Sequence, residues 1–272
     1  MINALTVDFE DWYQGLEIPP EKRGGFEDRL AVSGRRLLRL FAEAGVRGTF
    51  FVLGVVAERH PELVREIVAG GHEIATHGWS HTLVYQMRPE TFRTELRRSI
   101  QLLEEIGGQR ITGHRAPFFS ITRESLWALE IVCAEGLRYD SSIFPVLNYR
   151  YGIEDAPRWP HPIAFEGGTL TEFPITTWRV LGRNLPVAGG AYFRLLPYAL
   201  TRTAFRRVNA AGRPAVFYVH PWELDPEQPR IALPRRIALT HYTNLGATER
   251  RLRLLLRDFC FAPMAEVLGA DG

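Results

Sequence analysis

With 272 residues, 46% hydrophobic and 24% charged, the chain has the make-up of a globular α/β protein that buries one large core. The net charge is +2, only Lys22 among the 33 basic residues is a lysine, and no basic run is interleaved with aromatics, which speaks against a nucleic-acid partner. Cys133 and Cys260 stand far apart in apolar settings, no apolar run reaches the ~20 residues of a membrane span, and the N-terminus meets Asp8 before any signal-like stretch forms; a reducing, cytoplasmic setting is expected.

The first apolar run, Asn3 to Val7, reads as a short buried strand followed at once by three carboxylates, Asp8, Glu10 and Asp11. RRLLRLFAEAG reads as a helix closed by Gly45, and residues 47 to 54 as the next strand. Pro61 opens a helix stopped by two glycines, and residues 72 to 78 form a strand running into a polar loop. Pro89 opens a long helix with Phe92, Leu96, Ile100 and Leu103 on one face. Strand-like ITGHRAP follows, then a helix capped by Thr122 and ended at Gly136, then LRYDSS.

Such alternation predicts parallel strands with helical crossovers up to about residue 145. From about 146 to 195 the sequence breaks into loops and short strands rich in Pro, Gly and aromatics, with LTEFPI the clearest strand. Regularity returns with a helix from about Pro197 to Ala211, a strand over residues 215 to 220, and an amphipathic helix near 247 to 259 whose four arginines could meet anionic lipid but whose leucines more simply pack on the barrel.

Chemistry-capable residues fall at the C-terminal ends of these strands, where α/β sheets and barrels place their ligands. Like carboxylates crowded together need a cation or an Arg in answer. His77 and His81, spaced i, i+4, would share one face of a helical turn and meet one metal ion, with a carboxylate from the first strand completing a three-ligand site. Arg115, at the end of ITGH, would pair with the non-ligating carboxylate and hold it as a general base. His220, after AVFYV, would donate a proton to a leaving group, with Asp140 setting its tautomer.

The other histidines, His60, His72, His114, His161 and His241, read as structural, with His114 pointing to the opposite side of its strand from Arg115. Trp12, Trp79 and Trp222 lie beside site residues in sequence and would suit stacking on a sugar ring or filling of the core.

These residues resemble the polysaccharide deacetylases with the NodB-homology domain, carbohydrate esterase family four. THGWSH is similar to the family's metal motif, GHRAPFF to its Arg-x-Pro motif, YDSS to the region of its fourth motif and FYVHPWEL to its last, in the family's order. More narrowly, TVDFEDWYQ, YDSSIFPV, GGAYFRLLP, YVHPWELDPEQPR and HYTNLGATERRLRLLLRDF resemble the exosortase-associated subgroup, whose members tend to be encoded with exopolysaccharide genes.

The resemblance implies a distorted seven-stranded (β/α) barrel and the removal of N-acetyl groups from an N-acetylated hexosamine polymer. It makes His77 and His81 ligands of one divalent ion, Zn2+ by preference, Arg115 the residue that orients the base, a main-chain N–H near Phe118 an oxyanion donor, and His220 the acid. Where the family usually has two adjacent aspartates, this chain has Asp8-Phe9-Glu10-Asp11. One register makes Asp8 the base and Glu10 a metal ligand; the other makes Glu10 the base and Asp11 the ligand. Asp8 and Glu10 share a face if the strand persists, which favours the first.

The expected organisation is a single domain over 1–272. Residues 1–145 form the core barrel with the metal motifs; 146–272 supply subgroup-specific loops, the last barrel strands and a C-terminal helix. The competing readings are a metal-poor amidohydrolase acting on ureides or cyclic amides, against which both retained histidines argue, and a glycan-binding protein that lost its chemistry, although no base, ligand or acid is visibly missing.

Overall fold

The computed structural model describes every residue except Glu17, Pro19, Tyr149 and 270–272. The first strand, β1 (Ile2–Phe9), is buried from Asn3 onward on both faces, as a parallel strand covered by helices requires. It runs longer than the apolar stretch suggests, so Asp8 lies within the strand and Glu10 just past its end.

Strands and helices then take turns as α1 (Leu30–Ala44), β2 (Thr49–Val52), α2 (Gly54–Arg59), α3 (Pro61–Ala69), β3 (Glu73–Thr76), α4 (Pro89–Gly107), β4 (Gly113–His114), α5 (Trp127–Ala134) and β5 (Tyr139–Asp140). Gly45 ends α1 at φ 64°, a left-handed position that glycine fills without strain. Phe92, Leu96 and Leu103 of α4 are buried, as its sequence period requires. The helix expected from Thr122 is broken into a short 3₁₀ turn at Arg123–Ser125, which Thr122 caps, and α5.

The second half is more regular than its Pro and Gly content indicates. It contains two hairpins, β6 (His161–Phe165) with β7 (Gly168–Glu172) and β8 (Thr177–Val180) with β9 (Arg183–Pro186). There follow α6 (Gly190–Leu195), α7 (Tyr198–Ala210), β10 (Val216–Val219), α8 (Arg235–Tyr242), α9 (Leu245–Asp258), β11 (Cys260–Ala262) and α10 (Met264–Leu268).

Seven strands run parallel in the order β10-β1-β2-β3-β4-β5-β7, with β6 antiparallel on the outer edge and β11 beside the start of β1. The strand ladder does not close into a barrel among the described residues. Between β7 and β10 the seam is bridged by loop residues instead. Val216 N donates to Thr176 Oγ1 at 2.7 Å and Tyr218 N to Ala188 O at 2.9 Å. The main core fills the space between sheet and helices, and a smaller cluster of Trp12, Tyr13, Leu16, Trp222 and Leu245 sits beyond the C-terminal end of β1.

Candidate active site

A cavity of about 300 Å³ opens at the C-terminal ends of the parallel strands, lined by Asp8, Glu10, His77, His81 and His220 among its polar groups. Thr6 and Asp8 project from one face of β1, two residues apart, and both meet the guanidinium of Arg115. Arg115 Nη1 donates to Asp8 Oδ1 at 2.6 Å and to Thr6 Oγ1 at 2.8 Å, while Nε and Nη2 reach Ser141 O and Oγ. Its cation also lies 4.1 Å from the centre of the Phe51 ring. Arg115 is fully buried and its fork is satisfied, so Asp8 is held by one oxygen and presents the other, Oδ2, 3.9 Å from His220 Nε2.

His77 follows β3, and its Nδ1–H donates to the main-chain carbonyl of Arg115 at 2.7 Å. That bond leaves the Nε2 lone pair aimed away from the backbone, towards Glu10. His81 reaches the same place by a different route from the helical turn expected of its spacing. Residues 77 to 83 are not helical; Gly78 turns the chain at φ 77° and His81 itself adopts φ 59°. The loop is docked on α2 through Gly54 N to Gly78 O and Val55 N to Trp79 O, and the Trp79 ring lies so close to Gly54 that a Cβ there would sit 2.2 Å from it.

Glu10, His77 and His81 form the one His, Cys, Asp and Glu cluster of metal-binding size among the described residues, with their ligand atoms within 4.8 Å of one another. Glu10 Oε2 is 2.5 Å from His81 Nε2 and 4.0 Å from His77 Nε2, is buried, and makes no well-aimed hydrogen bond. Two imidazole nitrogens and a carboxylate oxygen converging on an unsatisfied buried atom fit a zinc-type ion. Burial raises the Glu10 carboxyl, but His81, His220 and His77 outweigh it and bring it down to about 2. Burial lowers His77 to about 4, so its imidazole is neutral, as a ligand must be.

His220 ends β10, and its Nδ1 lies 2.8 Å from Glu223 Oε1. The same oxygen accepts the His220 main-chain N–H at 3.0 Å, and Arg194 Nε donates to Oε2 at 2.6 Å. Nε2 therefore faces the cavity, 3.8 Å from Glu10 Oε1. Burial lowers the imidazole, yet the carboxylates of Glu223, Glu10 and Asp8 raise it to about 9. Glu223 goes the other way: burial raises it, and Arg194 and His220 together bring it to about 2.

Two expected site residues lie elsewhere. Asp11 does not join the cluster: Oδ1 accepts Trp12 N–H, Oδ2 accepts Arg29 N–H, and the carboxyl lines a separate cavity. Burial pushes it up to about 7. Asp140 does not orient His220. It bonds His114 Nδ1 at 2.6 Å and Ser142 Oγ and N, because β4 and β5 are ladder neighbours with His114 and Asp140 in register. Glu172, its partner in β7, is pushed well above the usual carboxylate range by burial and by Asp140.

Glu223 was missed although its signal was present. A Glu three residues after a helix-capping residue, as in His220-Pro221-Trp222-Glu223, is the capping-box spacing. Trp12 and Trp79 are packed away from the cavity, Trp12 donating to Glu27 O and Trp79 covered by Arg98. Trp222 lines it, stacked between His220 and His241, and Phe118, Tyr151 and Tyr192 supply further aromatic wall. Phe118 holds φ 54°, a strained left-handed position in the cavity lining.

Comparison with known proteins matches residues 25–132 to the family described as polysaccharide deacetylase. The chain carries a polysaccharide deacetylase domain. Residues 141–269 match a domain of unknown function (DUF3473), so Arg194, His220 and Glu223 come from that second match while β3 and its histidines come from the deacetylase domain.

The chain is similar to the peptidoglycan deacetylase of Helicobacter pylori, 30% identical over 132 residues that make 48% of this chain and 43% of that protein. It is also similar to the chitooligosaccharide deacetylase of Bradyrhizobium sp., 31% identical over 91 residues, 33% of this chain and 42% of that protein. The chain thus spans less than half the length of the curated relatives it matches. A solved Mycobacterium smegmatis structure described as a polysaccharide deacetylase shares the fold at a TM-score of 0.63 with 24% identity, covering 98% of this chain and 90% of that one. PuuE allantoinase shares the fold too, at a TM-score of 0.60 with 18% identity, covering 98% and 88%.

Proposed function

We propose that the chain is a metal-dependent hydrolase that removes N-acetyl groups from hexosamine residues of an exopolysaccharide or its precursor, releasing acetate and a free amine. The observation that carries this reading is the convergence of an Arg-held carboxylate, a Glu-His-His cluster and a carboxylate-held histidine on one cavity. The named activities of the relatives point to the same bond: peptidoglycan and chitooligosaccharide deacetylases act on N-acetylated sugars.

Glu10, His77 and His81 would hold a divalent ion, Zn2+ by preference, which when bound acidifies water and polarises a neighbouring carbonyl. Asp8, oriented by its bond to Arg115, takes a proton from the attacking water through its cavity-facing Oδ2. The main-chain N–H in the Phe118 turn donates to the oxygen that gains charge. His220, with Nδ1 held by Glu223, gives its Nε2 proton to the departing amine. The aromatic wall of Phe118, Tyr151, Tyr192 and Trp222 suits the apolar faces of a sugar ring.

Acetate release from N-acetylglucosamine oligomers tests the reading. Release at a rate abolished by Asp8→Asn supports it; no release by protein shown to hold zinc overturns the N-acetyl assignment.

A further inference from the structure

Among the described residues two arginines are almost fully buried, Arg115 and Arg194. A guanidinium taken out of water costs several kcal/mol unless it is paired and bonded, so each needs a reason. Arg115 has Asp8. Arg194, on α6, has one carboxylate and three carbonyls: Nε donates to Glu223 Oε2, Nη2 to Thr240 O at 2.7 Å, and Nη1 to His241 O at 3.0 Å and Thr243 O at 2.8 Å. Thr240 and His241 lie in the last turn of α8 and Thr243 is its C-cap, the end where carbonyls lack helical partners and a cation is favoured. The main-chain oxygen of Arg194 is itself fixed, accepting from Asn244 Nδ2 and Arg251 Nη1.

The helix so anchored is also a wall of the cavity, through Arg236, Ile237 and Thr240. An unbroken line of contacts therefore runs from α8 through Arg194 and Glu223 to His220. A cation needed only to cap α8 would not have to face the one carboxylate that bonds His220 Nδ1.

We propose that Arg194 is a positioning residue for His220: it fixes the Glu223 carboxylate that holds His220 Nδ1–H, and it does so only while α8 is seated over the cavity. The proposal rests on the reading of His220 as proton donor. With Arg194 in place, Glu223 has both oxygens committed and the imidazole keeps Nε2 towards the cavity. Without it, Glu223 Oε2 loses its donor and the carboxylate is held through Oε1 by His220 alone, so the His220 ring loses its fixed orientation. Substrate contacts on α8 then bear directly on whether the acid is assembled.

The test compares full-length protein with Arg194→Met, Arg194→Lys and Glu223→Gln, using Arg251→Met as a control that loosens α6 without touching Glu223. Two readouts are taken: kcat and KM for acetate release, and the downfield Nδ1–H proton of His220 in protein labelled with 15N-histidine. Arg194→Met is expected to lower kcat by ~10²-fold with KM changed by less than about threefold, and to abolish the Nδ1–H signal, with Arg194→Lys between it and wild type. The control is expected to keep the signal.

A folded Arg194→Met protein with an unchanged Nδ1–H signal and kcat overturns the proposal. Loss of the signal equally in Arg251→Met overturns it too, since a general loosening would then suffice. If Arg194→Met does not fold, Glu223→Gln, of equal volume, decides: a lost signal supports the line of contacts and a retained one overturns it. The NMR comparison needs no turnover, so it decides the positioning claim even if wild type releases no acetate and the deacetylase reading fails.

Discussion

Glu223 Oε1 sits 2.8 Å from His220 Nδ1 and 3.0 Å from the main-chain N of the same residue, so one carboxylate oxygen fixes both the ring and the backbone of His220. This leaves Nε2 facing Asp8 and Glu10 at just under 4 Å, with room for reacting atoms between.

Replacing His220 by Gln is expected to lower kcat by ~10²- to 10⁴-fold, the range of a lost general acid, while zinc content stays near one per chain because the ligand set is untouched. In wild type, His220 raised to about 9 must be protonated to act, so kcat should fall as pH rises through about 9. The same shift stabilises the fold fully below pH 6.5 and ceases to do so as pH passes about 9. A pH–rate profile flat from pH 7 to 10.5 would remove His220 from the acid role.

Arg115→Ala should cost about 3 to 5 kcal/mol in urea unfolding, because it strands the buried Asp8 carboxylate and leaves Thr6 Oγ1 and Ser141 without their donor. The His77 bond to the residue 115 carbonyl survives the change, so zinc binding should weaken much less than turnover. Equal loss of both would show that Arg115 builds the metal cluster rather than the base.

Gly54→Ala places a methyl 2.2 Å from the Trp79 ring, on which Arg98 also packs at 3.6 Å. The expected cost is about 1 to 3 kcal/mol of overpacking, together with weaker zinc binding, because Trp79 sits in the loop between His77 and His81. Gly246→Ala on α9 meets nothing within 4 Å and is expected to leave both unchanged. Zinc affinity unaltered in Gly54→Ala would separate the loop from the metal cluster.

Burial lowers His72 to about 4 and His241 to about 3, so between those values and 6.5 the unfolded chain binds protons that the native chain refuses. These two histidines should therefore withdraw stability as pH drops below about 6.5, up to about 1.4 kcal/mol per unit each, against the opposite contribution of the raised carboxyls of Asp11 and Glu172. Urea midpoints between pH 7 and 4.5 measure it. His241→Gln should make the slope shallower, and an unchanged slope would mean that His241 titrates normally.

The residues that make the cavity were readable because parallel strands deliver their C-terminal ends to one place, and Asp8, His77, Arg115 and His220 each follow an apolar run. Asp140 follows such a run as well, yet ladder register hands it to His114, and register between two-residue strands leaves no trace in a single sequence. The His77 and His81 spacing suggested a helical turn, whereas a left-handed glycine and a docked loop bring the rings to 5.4 Å of each other. The hairpins of the second half were hidden by Pro and Gly, which mark turns strongly and strands hardly at all. Helix α8 and the role of Arg194 depend on contacts 29 to 49 residues away along the chain, beyond any local pattern.

The most direct measurement is acetate release from an N-acetylglucosamine oligomer by the protein as isolated, after removal of metal with a chelator, and after addition of zinc, run in parallel on His81→Ala. Release that disappears with chelation, returns with zinc and is absent from His81→Ala at any zinc concentration is the expected result. Release that persists in metal-free protein, or in His81→Ala, would contradict the assignment of Glu10, His77 and His81 as the metal site on which the proposed chemistry depends.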